Sequence, residues 1–246
     1  MCTVAILLRP GHAWPVMLAA NRDERLDRAW DPPGAWWPER PGVIAGRDRS
    51  GGGTWMGVNR HGLVAAVLNR PGGLGPAPGK RSRGDLPLLA LERDGLEAAV
   101  AAIAALDAGL WRSFNLVLAD RSGAVVLRGL GRGRPEPLPL APDVQIAGVH
   151  MITAHDPDDL ASPRVARHLP RLRAAVPPDR DGWAGWDAVM ADRAGSAAEQ
   201  ITVAPRGGFG TVCSARVALD AAGTVRWWFA PGPADQAAFA PVALSF

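Results

Sequence analysis

The sequence predicts an α+β protein, and three observations carry that reading. Segments of strand character come in blocks, helical segments are grouped between those blocks, and the first strand is apolar on both faces. A parallel α/β sheet would instead alternate strand and helix throughout. Two antiparallel sheets with helices outside them would cover both faces of such a strand.

Thr3 to Leu8 is that first strand, apolar at nearly every position. After a turn at Arg9-Pro10-Gly11 comes Val16 to Ala20, so the two are expected to pair as a hairpin. Thr54 to Val58 and Leu63 to Asn69 flank Asn59-Arg60-His61-Gly62, a four-residue turn. Gly72 to Gly84 is rich in Gly and Pro and reads as an exposed loop. Leu86 to Leu106 carries Leu and Ala at helical spacing, with Gly95 dividing it into two helices. Phe114 to Leu127 reads as a hairpin turning at Asp120 to Gly123, and Val217 to Phe229 as another turning at Asp220 to Gly223. Between them a strand is expected near Gln145 to Ile152, with helices near Pro163 to Ala175 and Trp183 to Met190. No solenoid-type repeat is present, and residues 1–246 are read as a single domain.

Bulk composition narrows the function classes. The 246 residues are 48% hydrophobic and 21% charged, an ordinary globular balance with enough chain to bury a core. No apolar run approaches the ~18 residues of a membrane span. The run Val4 to Leu8 is short and closed by Arg9-Pro10, so no signal peptide is expected and the chain is read as cytoplasmic. The pI near 9.6 does not imply nucleic-acid binding. Lys80 is the only lysine, acidic residues nearly balance the arginines, and the densest basic stretch, Lys80 to Arg83, has no aromatic interleaving. Cys2 and Cys213 make a poor disulfide framework and read as thiols. The five histidines lack metal-ligand spacing, so neither metal nor cofactor is expected. The expected partner is a small-molecule substrate or a hydrophobic ligand.

Cys2 is the first chemical candidate. Removal of Met1 would leave a thiol (reference pKa ~8.5) beside an α-amine (reference pKa ~7.7–8.0) on one residue, so that nucleophile and base arrive together. Asn21-Arg22-Asp23-Glu24 is the second. Strand alternation puts Asn21 and Asp23 on one face and Arg22 and Glu24 on the other, and the hairpin brings Cys2 beside roughly Asn21 to Asp23. A carboxylate there could orient the thiol; the alternative is a solvated charged turn. Asn69 is the third, at a strand end before Arg70-Pro71-Gly72, where its amide could donate to an oxyanion or simply form a turn. Trp30, Trp36, Trp37 and Trp55 fall near these motifs and could wall an acyl pocket or pack conventionally. Gly51-Gly52-Gly53 lacks the strand-turn-helix context of a dinucleotide site, and no Gly-x-Ser-x-Gly elbow supports a serine triad at Ser162.

These residues recur in one order: Met1-Cys2-Thr3-Val4, Ala20 to Glu24, Ala45-Gly46-Arg47-Asp48, Gly53 to Asn59, Gly62-Leu63 and Asn69-Arg70-Pro71. This pattern resembles the NRDE family, whose eukaryotic members are called transport and Golgi organisation protein 2. It is more distantly similar to the cysteine N-terminal-nucleophile (Ntn) hydrolases that include penicillin V acylase and conjugated bile acid hydrolase, which cleave linear amides on a four-layer αββα fold. The resemblance implies that fold, with Cys2 as nucleophile, Asp23 orienting it and Asn69 as an oxyanion donor. It assigns Arg22 and Arg164 to the catalytic set, and Asn21, Trp55 and Asn59 to substrate binding. The chain departs from the pattern at three places. Ala20 stands where the hydrolases carry an activating Arg, with Arg22 two positions on. Met151 to Asp156 lacks the second Asn, for which Thr153 or His155 would have to substitute. Gly210-Thr211-Val212-Cys213-Ser214 lacks an Arg usual in NRDE proteins. The functions implied are an amide hydrolase or, alternatively, a carrier of haem or acyl-lipid-type metabolites.

Overall fold

The structure is a computed structural model and describes residues 2–73, 75, 77–142, 148–180 and 182–246. Two antiparallel sheets and four α-helices make it α+β. The chain divides into two compact units, Met1–Asp27 with Ala141–Val242, and Arg28–Leu140 with Ala243–Phe246.

The first unit contains strands β1 (Thr3–Leu8), β2 (Val16–Arg25), β10 (Val149–Ile152), β11 (Phe209–Leu219), β12 (Val225–Ala230) and β13 (Ala240–Pro241), in the order β10-β1-β2-β11-β12-β13. Every residue of β1 is buried, as its doubly apolar sequence requires. The β1–β2 hairpin forms, but β2 runs five residues past Ala20 and carries Asn21 to Arg25 inside the sheet. Helices α3 (Pro163–Ala174) and α4 (Ala184–Met190) pack on the face presented by Ala5, Leu7, Met17 and Ala19, with Trp186 fully buried among them. Ser162 caps α3, its hydroxyl accepting from Val165 N, and Pro163 occupies the first turn, where no intrahelical donor is lost. Of the strand expected at Gln145 to Ile152, residues 145–147 lie outside the described ones.

The second unit contains β3 (Trp30–Gly34), β4 (Val43–Asp48), β5 (Met56–Asn59), β6 (Val64–Asn69), β7 (Phe114–Asp120), β8 (Gly123–Gly129) and β9 (Glu136–Pro139), paired in chain order. Helices α1 (Asp85–Leu91) and α2 (Leu96–Ala104) cover the row Phe114, Leu116 and Leu118, and Gly95 divides them as expected. Sequence reading misses β3 and β9 because both contain prolines. As edge strands they tolerate the missing N–H. The Gly-rich motif is explained by close packing. A Cβ on Gly53 would lie 2.4 Å from the Gly84 backbone, and one on Gly46 would lie 2.4 Å from the Trp55 ring. Among the described residues no helix is long and apolar enough to cross a membrane.

Candidate active site

Strand register builds the site around Cys2. Thr3 pairs with Asn21, and on the far side of β2 Asn21 pairs with Ser214, so these three share the helix-facing side of the sheet. The adjacent row, Arg22 opposite Cys213, faces the other way. Cys2 precedes Thr3, and alternation puts it on the Arg22 side. Its Sγ lies 3.8 Å from the Asp23 main-chain oxygen.

Asp23 turns its carboxylate to the helix-facing side. Thr211 Oγ1 donates to Asp23 Oδ1 at 2.7 Å, and Arg164 Nη1 donates to Asp23 Oδ2 at 2.9 Å and to Thr3 Oγ1 at 3.0 Å. The Arg164–Asp23 pair is closed off from solvent, with side chains 4% and 0% exposed. Arg164 reaches it because α3 turns Arg164, Val165, His168, Leu169 and Leu172 inward at helical spacing. Thr211 reaches it because the ladder slips between Thr211 and Cys213, inserting Val212 as a bulge. A regular strand would set Thr211 and Ser214 on opposite faces. The bulge lets both serve the same one.

Two residues expected to contact substrate are also tied into the fold. Asn21 Nδ2 donates to Met190 O, Ile201 O and Thr202 Oγ1, and its Oδ1 accepts from Ser214 Oγ. Asn59 Nδ2 donates to Leu91 O and Arg93 O, while its Oδ1 accepts from His61 N and Leu63 N. An amide has two N–H donors and two acceptor lone pairs, so the buried Asn59 is fully used, and the buried Asn21 uses both donors and one acceptor position. Asn21 locks the α4 end to β2, and Asn59 locks its turn to the end of α1. Trp55 stands edge-on to Trp30, ring centroids 5.8 Å apart, and covers Gly46. Asn69 ends β6 opposite Phe114, and its half-buried amide makes no hydrogen bond among the described residues. Next to it, Arg70 Nη1 donates to Asn115 Oδ1 at 2.8 Å. Thr153 is buried, its hydroxyl accepting from His155 N, and His155 lies 3.7 Å from Asp159.

Sequence reasoning overlooks Thr202, Thr211 and Ser214, the hydroxyls that hold Asn21 and Asp23, and Thr3, whose hydroxyl accepts from Arg164. It also overlooks the Cys213–Arg22 pairing that brings the second thiol toward the first. The departure at Gly210 to Ser214 signals this only weakly, because the bulge that aligns it leaves no mark in composition.

Burial pushes both thiols up. For Cys2 the rise from burial is opposed chiefly by the N-terminal ammonium, with the charge of Asp23 adding to it and the bond to the Asp23 carbonyl and Arg22 opposing it. Burial pushes the Cys213 thiol up to about 12, opposed chiefly by Arg22. Because the unfolded chain ionises its thiols first, Cys213 contributes stability that is present below the ordinary thiol range and is lost as pH rises toward about 12. In urea titrations from pH 8 to 11, Cys213→Ala is expected to flatten the alkaline loss of stability by about 1.4 kcal/mol per pH unit. An unchanged slope would refute that assignment. Cys2 loses stability in the same direction, so a residual slope remains in the variant.

The protein has an Ntn-hydrolase-like fold. Penicillin V acylase from Agrobacterium tumefaciens superposes with a TM-score of 0.57 at 17% identity, covering 94% of this chain and 83% of that one. The Caenorhabditis elegans N-acylethanolamine-hydrolyzing acid amidase ortholog gives 0.61 at 14% identity, covering 91% and 94%. The C2A mutant of conjugated bile acid hydrolase from Clostridium perfringens gives 0.51 at 11% identity, covering 99% and 97%. The chain belongs to the Transport and Golgi organisation 2 family, which matches residues 1–179. The Mus musculus Transport and Golgi organization 2 homolog is 32% identical over 139 residues, 53% of this chain and 49% of that protein. The Bos taurus homolog is 34% identical over 142 residues, with the same coverage. The chain thus spans about half the length of the curated relatives it matches.

Proposed function

We propose that this protein is an amide-cleaving Ntn hydrolase acting on a small acylated substrate, with Cys2 as nucleophile after Met1 is removed. The observation that carries this reading is the position of Cys2. It is half-buried at the head of a fully buried strand, with its sulfur against the Asp23 carbonyl, and the same Asp23 is clamped by Arg164 and Thr211. Rigid second-layer support of this kind is what a reacting atom needs to be held in place.

In the proposed reaction the α-amine of Cys2 takes the thiol proton, and the thiolate attacks the amide carbon. Collapse of the tetrahedral intermediate breaks the C–N bond, the α-ammonium returns the proton to the leaving amine, and a thioester remains. Water then attacks the thioester, releasing the acid and restoring the thiol. Asn69 is the proposed side-chain donor to the oxyanion, its amide making no hydrogen bond among the described residues. Asp23 and Arg164 are positioning residues, since their charges are spent on one another beside Cys2.

The test is iodoacetamide labelling across pH 5 to 9, mapped by peptide and with Met1 status read from the same spectra. While Met1 remains, the α-amine belongs to the wrong residue and burial keeps the thiol protonated, so Cys2 is expected to label slowly. In Met1-free protein the ammonium sits on Cys2 itself, and labelling is expected to accelerate at pH values below the ordinary thiol range. Cys213 should stay inert throughout. A Met1-free Cys2 as slow as Cys213 overturns the proposal.

A further inference from the structure

The second unit carries a cleft that the proposed thiol chemistry does not use. Its volume is about 440 Å³, within the range of small-ligand sites, and it is lined by Trp36, Trp37, Arg47, Asp48, Arg49 and Gly52. Arg47 and Asp48 belong to the Ala45-Gly46-Arg47-Asp48 motif, which has no part in the thiol site. We propose that this cleft binds a small aromatic carboxylate, the ring lying against the two indoles and the carboxylate meeting Arg47 and Arg49.

Charge favours an anion. Arg47 Nε donates to Asp31 Oδ2 at 2.7 Å, and Arg49 Nη1 approaches Asp31 Oδ1 only to 3.9 Å, so two guanidiniums share one carboxylate. Asp48, the other acid at the cleft, is already satisfied, its Oδ1 accepting from Ser50 N and Gly51 N and its Oδ2 from Arg28 Nε at 2.8 Å. With Asp48 engaged by Arg28, Arg47 and Arg49 face the single carboxylate of Asp31. The Arg47 guanidinium lies 4.5 Å from the Trp36 ring centroid, and its bond to Asp31 uses Nε, which leaves the two Nη groups for a carboxylate fork.

Shape favours a flat ring. Trp37 is part of the buried core of the unit and Trp36 packs on it, so both walls are rigid. The Trp36 Nε1–H already donates to Pro32 O at 2.8 Å and the Arg47 guanidinium lies over the ring, so this indole offers a ligand apolar surface and no donor. Gly52 has φ near +74°, and a Cβ there would meet nothing within 4 Å, so the floor of the cleft is open beside the arginines. A neutral apolar ligand would leave the surplus charge unmet, and a cation would be repelled by it.

Calorimetry on the full chain with 2-naphthoate as probe, and with 2-naphthamide as its neutral counterpart, tests the assignment. Naphthoate is expected to bind with one-to-one stoichiometry and to weaken with added salt, and the amide to bind about tenfold more weakly. Arg49 is exposed, and Arg49→Gln is expected to lower naphthoate affinity about threefold to tenfold with no effect on folding. Trp36→Leu should lower the affinity for both compounds. Equal affinity for acid and amide, unchanged binding in Arg49→Gln, or no saturable binding up to millimolar naphthoate would each overturn the proposal. None of these outcomes bears on the reactivity of Cys2, so the two readings fail separately.

Discussion

Cys2→Ala is expected to abolish amide turnover, a loss of about 10³-fold or more, while leaving the unfolding free energy within about 1 kcal/mol of the parent protein. The two halves of this expectation come from different physics. Turnover depends on a nucleophile, and alanine has none. Stability depends on what the side chain touches, and Cys2 is half-buried with a single weak contact, its Sγ 3.8 Å from a carbonyl oxygen. Alanine is also small enough at position 2 to keep Met1 removal, so the variant retains its free α-amine and isolates the thiol. The readout is a panel of N-acyl amides followed by release of the amine, with urea unfolding alongside. Undiminished turnover in folded Cys2→Ala protein would end the nucleophile assignment.

Asp23→Ala is expected to be the most destabilising single change at the site, costing about 3–5 kcal/mol, because it strands a charge in the interior. Arg164 would keep its guanidinium 4% exposed beside the Thr3 hydroxyl but without the Asp23 carboxylate, and the Thr211 hydroxyl would lose its acceptor. Arg164→Met removes the cation from beside the buried Asp23 carboxylate, and a similar cost is expected. The double variant Asp23→Ala/Arg164→Met should cost less than the sum of the two, since neither charge is then left alone. Additive losses in a double-mutant cycle would mean that the pair is not coupled as its 2.9 Å separation implies. A loss below about 1 kcal/mol for Asp23→Ala would mean that water reaches the pair.

Much of this site is legible in the order of residues, and the legible part is local. The hairpin turn at Arg9-Pro10-Gly11 and the two short apolar runs around it set the register that brings Cys2 beside Arg22 and Asp23. Helical spacing marks α1 and α2, and Gly95 marks the break between them. Alternation along β2 already separates Asn21 and Asp23 from Arg22, and the pairing with β11 keeps that division. The motif order also places the chain in its family before any coordinate is known.

What the sequence leaves hidden is where a motif residue read for chemistry also serves the architecture. Asn21 and Asn59 are polar, stand inside motifs, and lie near candidate residues, so they invite a binding role. Their partners, Met190, Ile201, Thr202 and Ser214 for one and Leu91 and Arg93 for the other, are distant in the chain. No local pattern reveals that an amide has been engaged in this way. The proline-bearing strands β3 and β9 are missed for a related reason: only their place at the sheet edges makes a proline acceptable there.

The sequence by itself determined the grouping of helices between blocks of strands, the β1–β2 hairpin and the identity of the residue at its open end, because turn chemistry and periodicity act over a few residues. Only the tertiary structure decided what surrounds that end. Arg164 lies 141 positions from Asp23 and Thr211 lies 188, and their meeting depends on helix α3 packing and on one bulged residue in β11. Contacts of that range form because burying an apolar face fixes where a helix or strand must lie, and the polar partners follow from that placement.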